Sequence, residues 1–185
     1  LVGGEADCGG GWGARAVRRW GLNERVEAVE LCGLMRSTGT TVLGASVVDT
    51  VAGALAAVRR FLSYLPGGQH APPPRTDVPD SSDDAGRHLL EALPESRTQT
   101  YDMRRIIEQV VDRDTMFELK PRFGKSIVTA LARLDGHTVG VVASNPMFTG
   151  GAIDGYSCRQ PTSFLGRCCR FNVPVVVLVH LPGVL

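Results

Sequence analysis

Five cysteines, four histidines, a Gly-Lys-Ser triplet and several glycine clusters are the residues of this chain whose types bear on chemistry. The cysteines (Cys8, Cys32, Cys158, Cys168 and Cys169) are odd in number, irregular in spacing and form no C-x-x-C, so neither a disulfide framework nor a zinc site is supported. Free thiols in a reducing compartment are expected. His70, His88, His137 and His180 are isolated from one another and from the cysteines, which gives no metal-ligand spacing. Gly124-Lys125-Ser126 ends like a phosphate-binding loop, but that motif needs a glycine five residues earlier and Leu119 stands there. A surface turn is expected instead. The glycine cluster at 9–13 follows no strand and lacks dinucleotide spacing, so it reads as a loop. No G-x-S-x-G is present, and Asp112 and Asp114 read as a solvated helix end. Cys168-Cys169 lies in an apolar helical stretch, where a thiol packs and stays inert. Side-chain chemistry is nearly silent.

The elements that must position any site are easier to read. Val51, Leu55, Val58 and Leu62 recur at helical spacing, with Arg59 and Arg60 off that stripe and Pro66-Gly67-Gly68 to end the helix. Residues 67–100 have a linker's composition, with a proline triplet at 72–74 and Ser81-Ser82-Asp83-Asp84, and are expected over the surface or between domains. A second helix is expected over 103–111, capped by Thr100 or Asp102, with Ile106, Ile107, Val110 and Val111 inward. Residues 126–134 and 138–143 are β-rich runs joined by Asp135-Gly136, a strong hairpin signal. A Gly- and Pro-containing loop at 145–154 leads to a helix over 157–171, with Phe164, Leu165, Cys168 and Phe171 on one side. Pro161 is tolerable there only in the first turn. After Asn172-Val173-Pro174, residues 175–181 form a continuous apolar run of the fully buried strand kind. Hairpin, helix and buried strand in that order read as α/β.

The chain has 185 residues, enough for one domain or parts of two. Twenty basic residues oppose nineteen acidic ones, so no net field points to nucleic acid or to an anionic membrane. No charged leader precedes an apolar stretch, and the longest apolar run, at 173–181, is too short to span a bilayer. A cytoplasmic enzyme, or a fragment of one, is expected.

Several segments carry a resemblance when taken in order. They are Tyr-Asp-Met-Arg-Arg-Ile-Ile-Glu at 101–108, Phe-Glu-Leu at 117–119 and the run from Ile127 to Pro146 that contains the hairpin. Gly-Gly-Ala-Ile-Asp at 150–154, Arg-Cys-Cys-Arg-Phe-Asn-Val-Pro at 167–174 and Leu-Pro-Gly at 181–183 follow. This series resembles the opening of the second domain of the carboxyltransferase (beta) subunit of biotin-dependent acyl-CoA carboxylases. Upstream, Arg-Arg-Phe-Leu-Ser-Tyr-Leu-Pro at 59–66 resembles the end of that family's first domain, and Val26 to Gly33 echoes a segment just before it. The resemblance implies that 1–66 is the tail of a first carboxyltransferase domain, with 1–25 unplaced. It makes 67–100 the interdomain linker and 101–185 the first half of a second domain.

The resemblance further implies a partial crotonase-like (ClpP/crotonase) fold, a spiral of β-β-α units. The implied reaction moves a carboxylate from carboxybiotin to the α-carbon of an acyl-CoA thioester. Biotin, borne on a carrier protein or domain, is the implied cofactor. The implied partners are a biotin carboxylase or carrier subunit and other carboxyltransferase subunits in a hexamer. Such chemistry asks for backbone N–H donors at two enolate oxygens rather than for acid or base side chains, and one such donor is worth about 3 kcal/mol. Asn145, Pro146, Gly150, Gly151, Pro182 and Gly183 are the implied biotin-cleft candidates, with Gly150-Gly151 read in the first place as a tight turn against the helix and only second as a ligand contact.

The chain departs from the family pattern at several points. Neither of the glycine pairs that supply the family's oxyanion donors is present. His180 and Cys169 stand where aspartates are usual, Gly155 and Tyr156 replace an acidic or polar helix start, and Pro161 replaces a helix former. The isolated chain is therefore expected to be inactive. Two rival readings remain: a non-catalytic piece that docks on a complete carboxyltransferase through residues around 164–171, and a decarboxylase of malonyl-type thioesters.

Overall fold

The computed structural model describes residues 2–3, 47–77, 89, 93–94, 96, 99–180 and 182–183. The glycine cluster at 9–13, the segment from Val26 to Gly33 and most of 78–98 lie outside the described residues. The chain divides into two compact units, Leu1–Val58 and Arg59–Leu185.

In the first unit, β1 (Val2–Gly3) pairs in parallel with β2 (Val47–Val48). The Thr50 hydroxyl then accepts from Gly53 N at 3.0 Å and starts helix α1 (Val51–Leu62). The helix forms as its spacing predicts, but none of its residues is buried, and Val51 is 79% exposed. It also stops short of Pro66-Gly67-Gly68: Tyr64 N and Leu65 N bond carbonyls three residues back, which tightens the chain into a turn.

The second unit is built on a four-stranded sheet in the order β3 (Phe117–Leu119), β4 (Ile127–Leu134), β5 (His137–Ser144), β6 (Val175–Leu178). The first two pairings are antiparallel and β5·β6 is parallel. Asp135 and Gly136 both take positive φ (50° and 74°), as a two-residue type I′ hairpin turn requires. Asp112, expected as a solvated helix end, is half-buried instead: its carboxylate accepts from Asp135 N at 3.0 Å and Gly136 N at 2.8 Å. Those two N–H groups have no partner within the turn, so a carboxylate from the preceding loop caps it.

Helices cover both faces of the sheet. On one face lies α2 (Met103–Val110), capped by Asp102, whose carboxylate accepts from Arg104 N at 3.1 Å. Ile106 and Ile107 point inward with Met103, against Val128, Ala130, Ala132, Val139, Val141 and Ala143. Val110, expected inward, is 36% exposed at the last turn. Arg104 makes a two-pronged pair with Glu118, at 2.8 and 2.7 Å, which ties α2 to β3. That carboxylate holds the guanidinium pKa above its ordinary value.

On the other face lies α3 (Gly155–Arg170), with Phe164 and Cys168 packed on Leu131, Leu119 and Val173. Leu165, expected on that side, is 38% exposed. Pro161 sits in the second turn, not the first. It removes one helical N–H, and the Thr162 and Ser163 hydroxyls donate to the nearby carbonyls of Cys158 (2.8 Å) and Gln160 (3.1 Å). Phe164 and Cys168 are spent on this core, while Leu165, Gly166, Cys169 and Arg170 stay exposed.

The close approach of α3 depends on Gly140. A Cβ there would stand 2.8 Å from Cys168 Sγ and 3.2 Å from two Phe164 ring atoms. Gly140→Ala is expected to lower unfolding free energy by about 1–3 kcal/mol through overpacking, read as a lower urea midpoint. An unchanged midpoint would show that α3 yields without cost.

Burial pushes the Cys168 thiol up to about 11. A raised thiol pKa stabilises the fold below the ordinary thiol range and loses that contribution as pH climbs from about 9 to about 11. Stability is therefore expected to fall across that window. In native protein at pH 8, maleimide should modify the exposed Cys158 and Cys169 while sparing Cys168, as peptide mapping would show.

Strand β6 differs from its expectation. It ends at Leu178 and lies at the edge of the sheet, with Val177 58% exposed and Val179 71% exposed. The proline-rich stretch also does more than cross the surface. Thr76 N donates to Gly136 O at 3.0 Å, and Arg75 forms a bridge with His137 at the hairpin end. Buried Arg133 donates to Ser63 O (2.9 Å), Pro74 O (3.3 Å) and Gly136 O (3.4 Å), and its guanidinium lies 5.0 Å from the Tyr64 ring centroid. Residues 59–77 are thus fastened to the hairpin.

Candidate functional site

In open α/β sheets, ligands bind outside the carboxyl ends of parallel strands. Here those ends belong to β5 and β6, and the loops leaving them carry the sequence candidates. Asn145 directly follows β5 and is fully buried. Its carbonyl oxygen accepts from Met103 N (3.3 Å) and Met147 N (3.2 Å), and its amide donates to Asp102 Oδ1 (3.1 Å). Its role is a clip between the start of α2 and the end of β5. Pro146 is buried beside it.

The loop then makes a short 3-10 turn, Thr149–Gly151. Gly151 has φ 87°, and a Cβ on it would meet His180 O at 2.8 Å, Pro146 Cα at 3.5 Å and Pro182 Cδ at 3.5 Å. Ile153 N donates to Gly183 O at 3.2 Å. The structure therefore brings Pro146, Gly151, Pro182 and Gly183 to one place, with the β5 and β6 loops in backbone contact. Gly150 does not join them: its φ is 62° and nothing lies within 4 Å of its Cβ position. Gly151 is a seat for its own chain's backbone, and Gly150 is the open one of the pair.

Polar groups fix this corner from below. Ser126 and Ser157 hydroxyls bond each other, and Gln160 donates to Thr129 Oγ1 (2.9 Å) and Leu119 O (3.2 Å), which seats the first half of α3 on β4. Asp154 caps α3 by accepting from Ser157 N at 2.7 Å. Asp102 is committed likewise, to Arg104 N, Arg104 Nη1 and Asn145 Nδ2. Both carboxylates at this corner hold structure. Beside it runs an open groove of about 330 Å³ lined by Tyr101, Asp102, Arg105, Met147, Leu93 and Pro94.

Two contributors were missed in the sequence. Ser144, the last residue of β5, accepts from His180 N through its hydroxyl, and Tyr101 contacts the His180 ring. A polar residue closing an apolar strand was the available signal for Ser144. Nothing local marked Tyr101, whose partner lies 79 residues away.

The profile of the carboxyl transferase domain matches residues 11–185. The chain belongs to the carboxyl transferase domain family. It is 33% identical over 163 residues to the propionyl-CoA carboxylase beta chain of Roseobacter denitrificans, covering 88% of this chain and 32% of that one. It is 29% identical over 170 residues to the methylmalonyl-CoA decarboxylase subunit alpha of Veillonella parvula, covering 92% of this chain and 33% of that one. Among solved structures it superposes on transcarboxylase 12S, a hexamer with methylmalonyl-CoA and methylmalonic acid bound, with a TM-score of 0.87 and 28% identity. That superposition covers 93% of this chain and 33% of the other. The fold is a partial crotonase-like one, mixed α/β. The chain spans about a third of the length of the curated relatives it matches. Among the described residues, no helix of this carboxyl transferase domain is long and apolar enough to cross a membrane.

Proposed function

We propose that this chain is part of the carboxyltransferase subunit of a biotin-dependent acyl-CoA carboxylase. That subunit moves a carboxylate from carboxybiotin to the α-carbon of an acyl-CoA thioester. The observation that carries this reading is the family match across residues 11–185, together with a superposition over 93% of the chain on a structure holding methylmalonyl-CoA. In this reading 1–66 closes a first domain, 67–100 joins it to the second, and 101–185 opens the second. The partners are a biotin carboxylase or carrier subunit and further carboxyltransferase subunits, in the cytoplasm.

The residues present fit one part of that work and not another. Carboxybiotin, when bound, supplies the transferred carboxyl group. The β5 and β6 loops, locked by Asn145 and Gly151, offer a rigid wall at the carboxyl ends of the parallel strands. Most of their backbone donors are already committed. The N–H groups of Met147, Phe148, Gly151, Ala152 and Ile153 are all donated within the protein. What this segment does is shape and exclude water, while the donors for the enolate oxygens lie elsewhere in the subunit.

The isolated chain is therefore expected to carboxylate no acyl-CoA above a no-protein control. The complete subunit, given biotin carboxylase, carrier, ATP and bicarbonate, is expected to fix labelled bicarbonate into propionyl-CoA or a neighbouring acyl-CoA. No fixation across an acyl-length series would defeat the proposal. The likeness to a methylmalonyl-CoA decarboxylase subunit favours one second reading, decarboxylation of a malonyl-type thioester. Release of carbon dioxide from such a thioester without forward fixation would select it.

A further inference from the structure

We infer that His180 donates a hydrogen bond to an anionic oxygen at the mouth of the β5/β6 corner, with Tyr101 as its positioning residue. The inference rests on the carboxyltransfer reading.

The main chain of His180 is held on both sides. Its N–H donates to Ser144 Oγ at the end of β5, and its carbonyl fills the space that the missing Cβ of Gly151 leaves. Its ring is held as well. Tyr101 meets it edge-on, with centroids 5.7 Å apart at 81°, and the phenol oxygen lies 3.4 Å from Nδ1. Tyr101 is in turn fixed by its neighbour Asp102, the cap of α2 and a partner of Asn145. Three elements thus place one exposed imidazole.

A neutral imidazole has one donor and one acceptor nitrogen, and the bond at one decides the other. Either the phenol O–H or Nδ1–H can donate across this contact; a donor at Nε2 requires the phenol to donate, which places the imidazole proton on Nε2. Among the described residues Nε2 has no partner. Most backbone donors of the neighbouring loop are already used, and the exposed imidazole adds a side-chain N–H at this corner. The chemistry it suits is an anionic oxygen, on either the thioester or the carboxylated biotin. No bond is made or broken at the ring, and the proton stays on Nε2.

Steady-state kinetics of the complete assembly test this, with acyl-CoA and carboxylated carrier varied in turn. His180→Ala is expected to lower kcat about 10²-fold, the usual size for one lost oxyanion donor. His180→Gln, which keeps a donor, should recover most of that loss, and His180→Leu, which has none, should not. Tyr101→Phe keeps the ring contact and should cost about tenfold, the upper end of what one neutral hydrogen bond is worth. A KM rise confined to acyl-CoA places the oxygen on the thioester, and one confined to the carrier places it on biotin. Nitrogen-15 NMR of the same protein without substrates should show His180 as the Nε2–H tautomer, with the preference weakened in Tyr101→Phe. An active wild type whose His180→Ala variant keeps full kcat, or a ring protonated on Nδ1, overturns the inference and leaves the carboxyltransfer reading standing. A wild type that transfers no carboxylate removes both.

Discussion

Arg133→Ala is expected to destabilise the second unit by about 3–5 kcal/mol, the range for stripping the partner from buried charge-assisted hydrogen bonds. Arg133 is only 7% exposed, and its guanidinium serves the carbonyls of Ser63, Pro74 and Gly136. Alanine leaves all three without that donor and takes away the group stacked on Tyr64. Lysine should restore little, because a point charge on a flexible stem cannot reproduce a planar fork shared among three acceptors. Two readouts belong together: the urea midpoint, and the rate at which a protease cuts between residues 67 and 77. Both should move. A midpoint shifted by less than the equivalent of about 1 kcal/mol, a value typical of exposed ion pairs, would mean that the clamp is ornamental.

Gly151→Ala should cost about 3 kcal/mol or more, whereas Gly150→Ala, one residue away, should cost about 1 kcal/mol. Both glycines have positive φ, so both substitutions meet the same backbone penalty. The difference is what the new Cβ strikes. At Gly150 it finds open space, and at Gly151 it finds the His180 carbonyl at 2.8 Å, a backbone atom at the end of β6 that cannot swing aside. Separating the β5 and β6 loops by even 1 Å should also lower carboxyl transfer by about 10²-fold in the complete subunit. Equal costs at the two positions, by thermal or urea unfolding, would contradict the close approach at Gly151.

Much of the second unit was legible because its signals are local. Asp135-Gly136 between two β-rich runs specified a hairpin, and the spacing of Ile106 and Ile107 specified the inner face of α2. The errors share a cause, which is that composition does not record distant partners. The apolar run after Pro174 says that a strand forms but not how many neighbours it has, and β6 is an edge. The stripe of Val51, Leu55, Val58 and Leu62 says helix but not what covers it, and all four are exposed. The proline-rich stretch reads as linker because Arg133, the residue that fastens it, lies some 59 residues from Pro74. Pro161 read as intolerable past the first turn, yet the helix carries it in its second turn.

The candidate corner was legible only through family resemblance. Pro146, Gly151, Pro182 and Gly183 have no common period or motif, and they meet because parallel β5 and β6 end side by side. Asn145 lies at that corner, where its buried amide oxygen serves the backbone of Met103 and Met147 rather than an open cleft. His180 stood out in the sequence only as a departure from pattern, and its contact with Tyr101 was invisible there.

The most direct measurement is the transfer of label from carboxyl-labelled methylmalonyl-CoA to free biotin by the complete subunit, with the isolated 185-residue chain run alongside. The account predicts labelled carboxybiotin from the complete subunit, dependent on added biotin, and none from the chain alone. Label released as carbon dioxide at the same rate with or without biotin, or no turnover of the thioester at all, would contradict it.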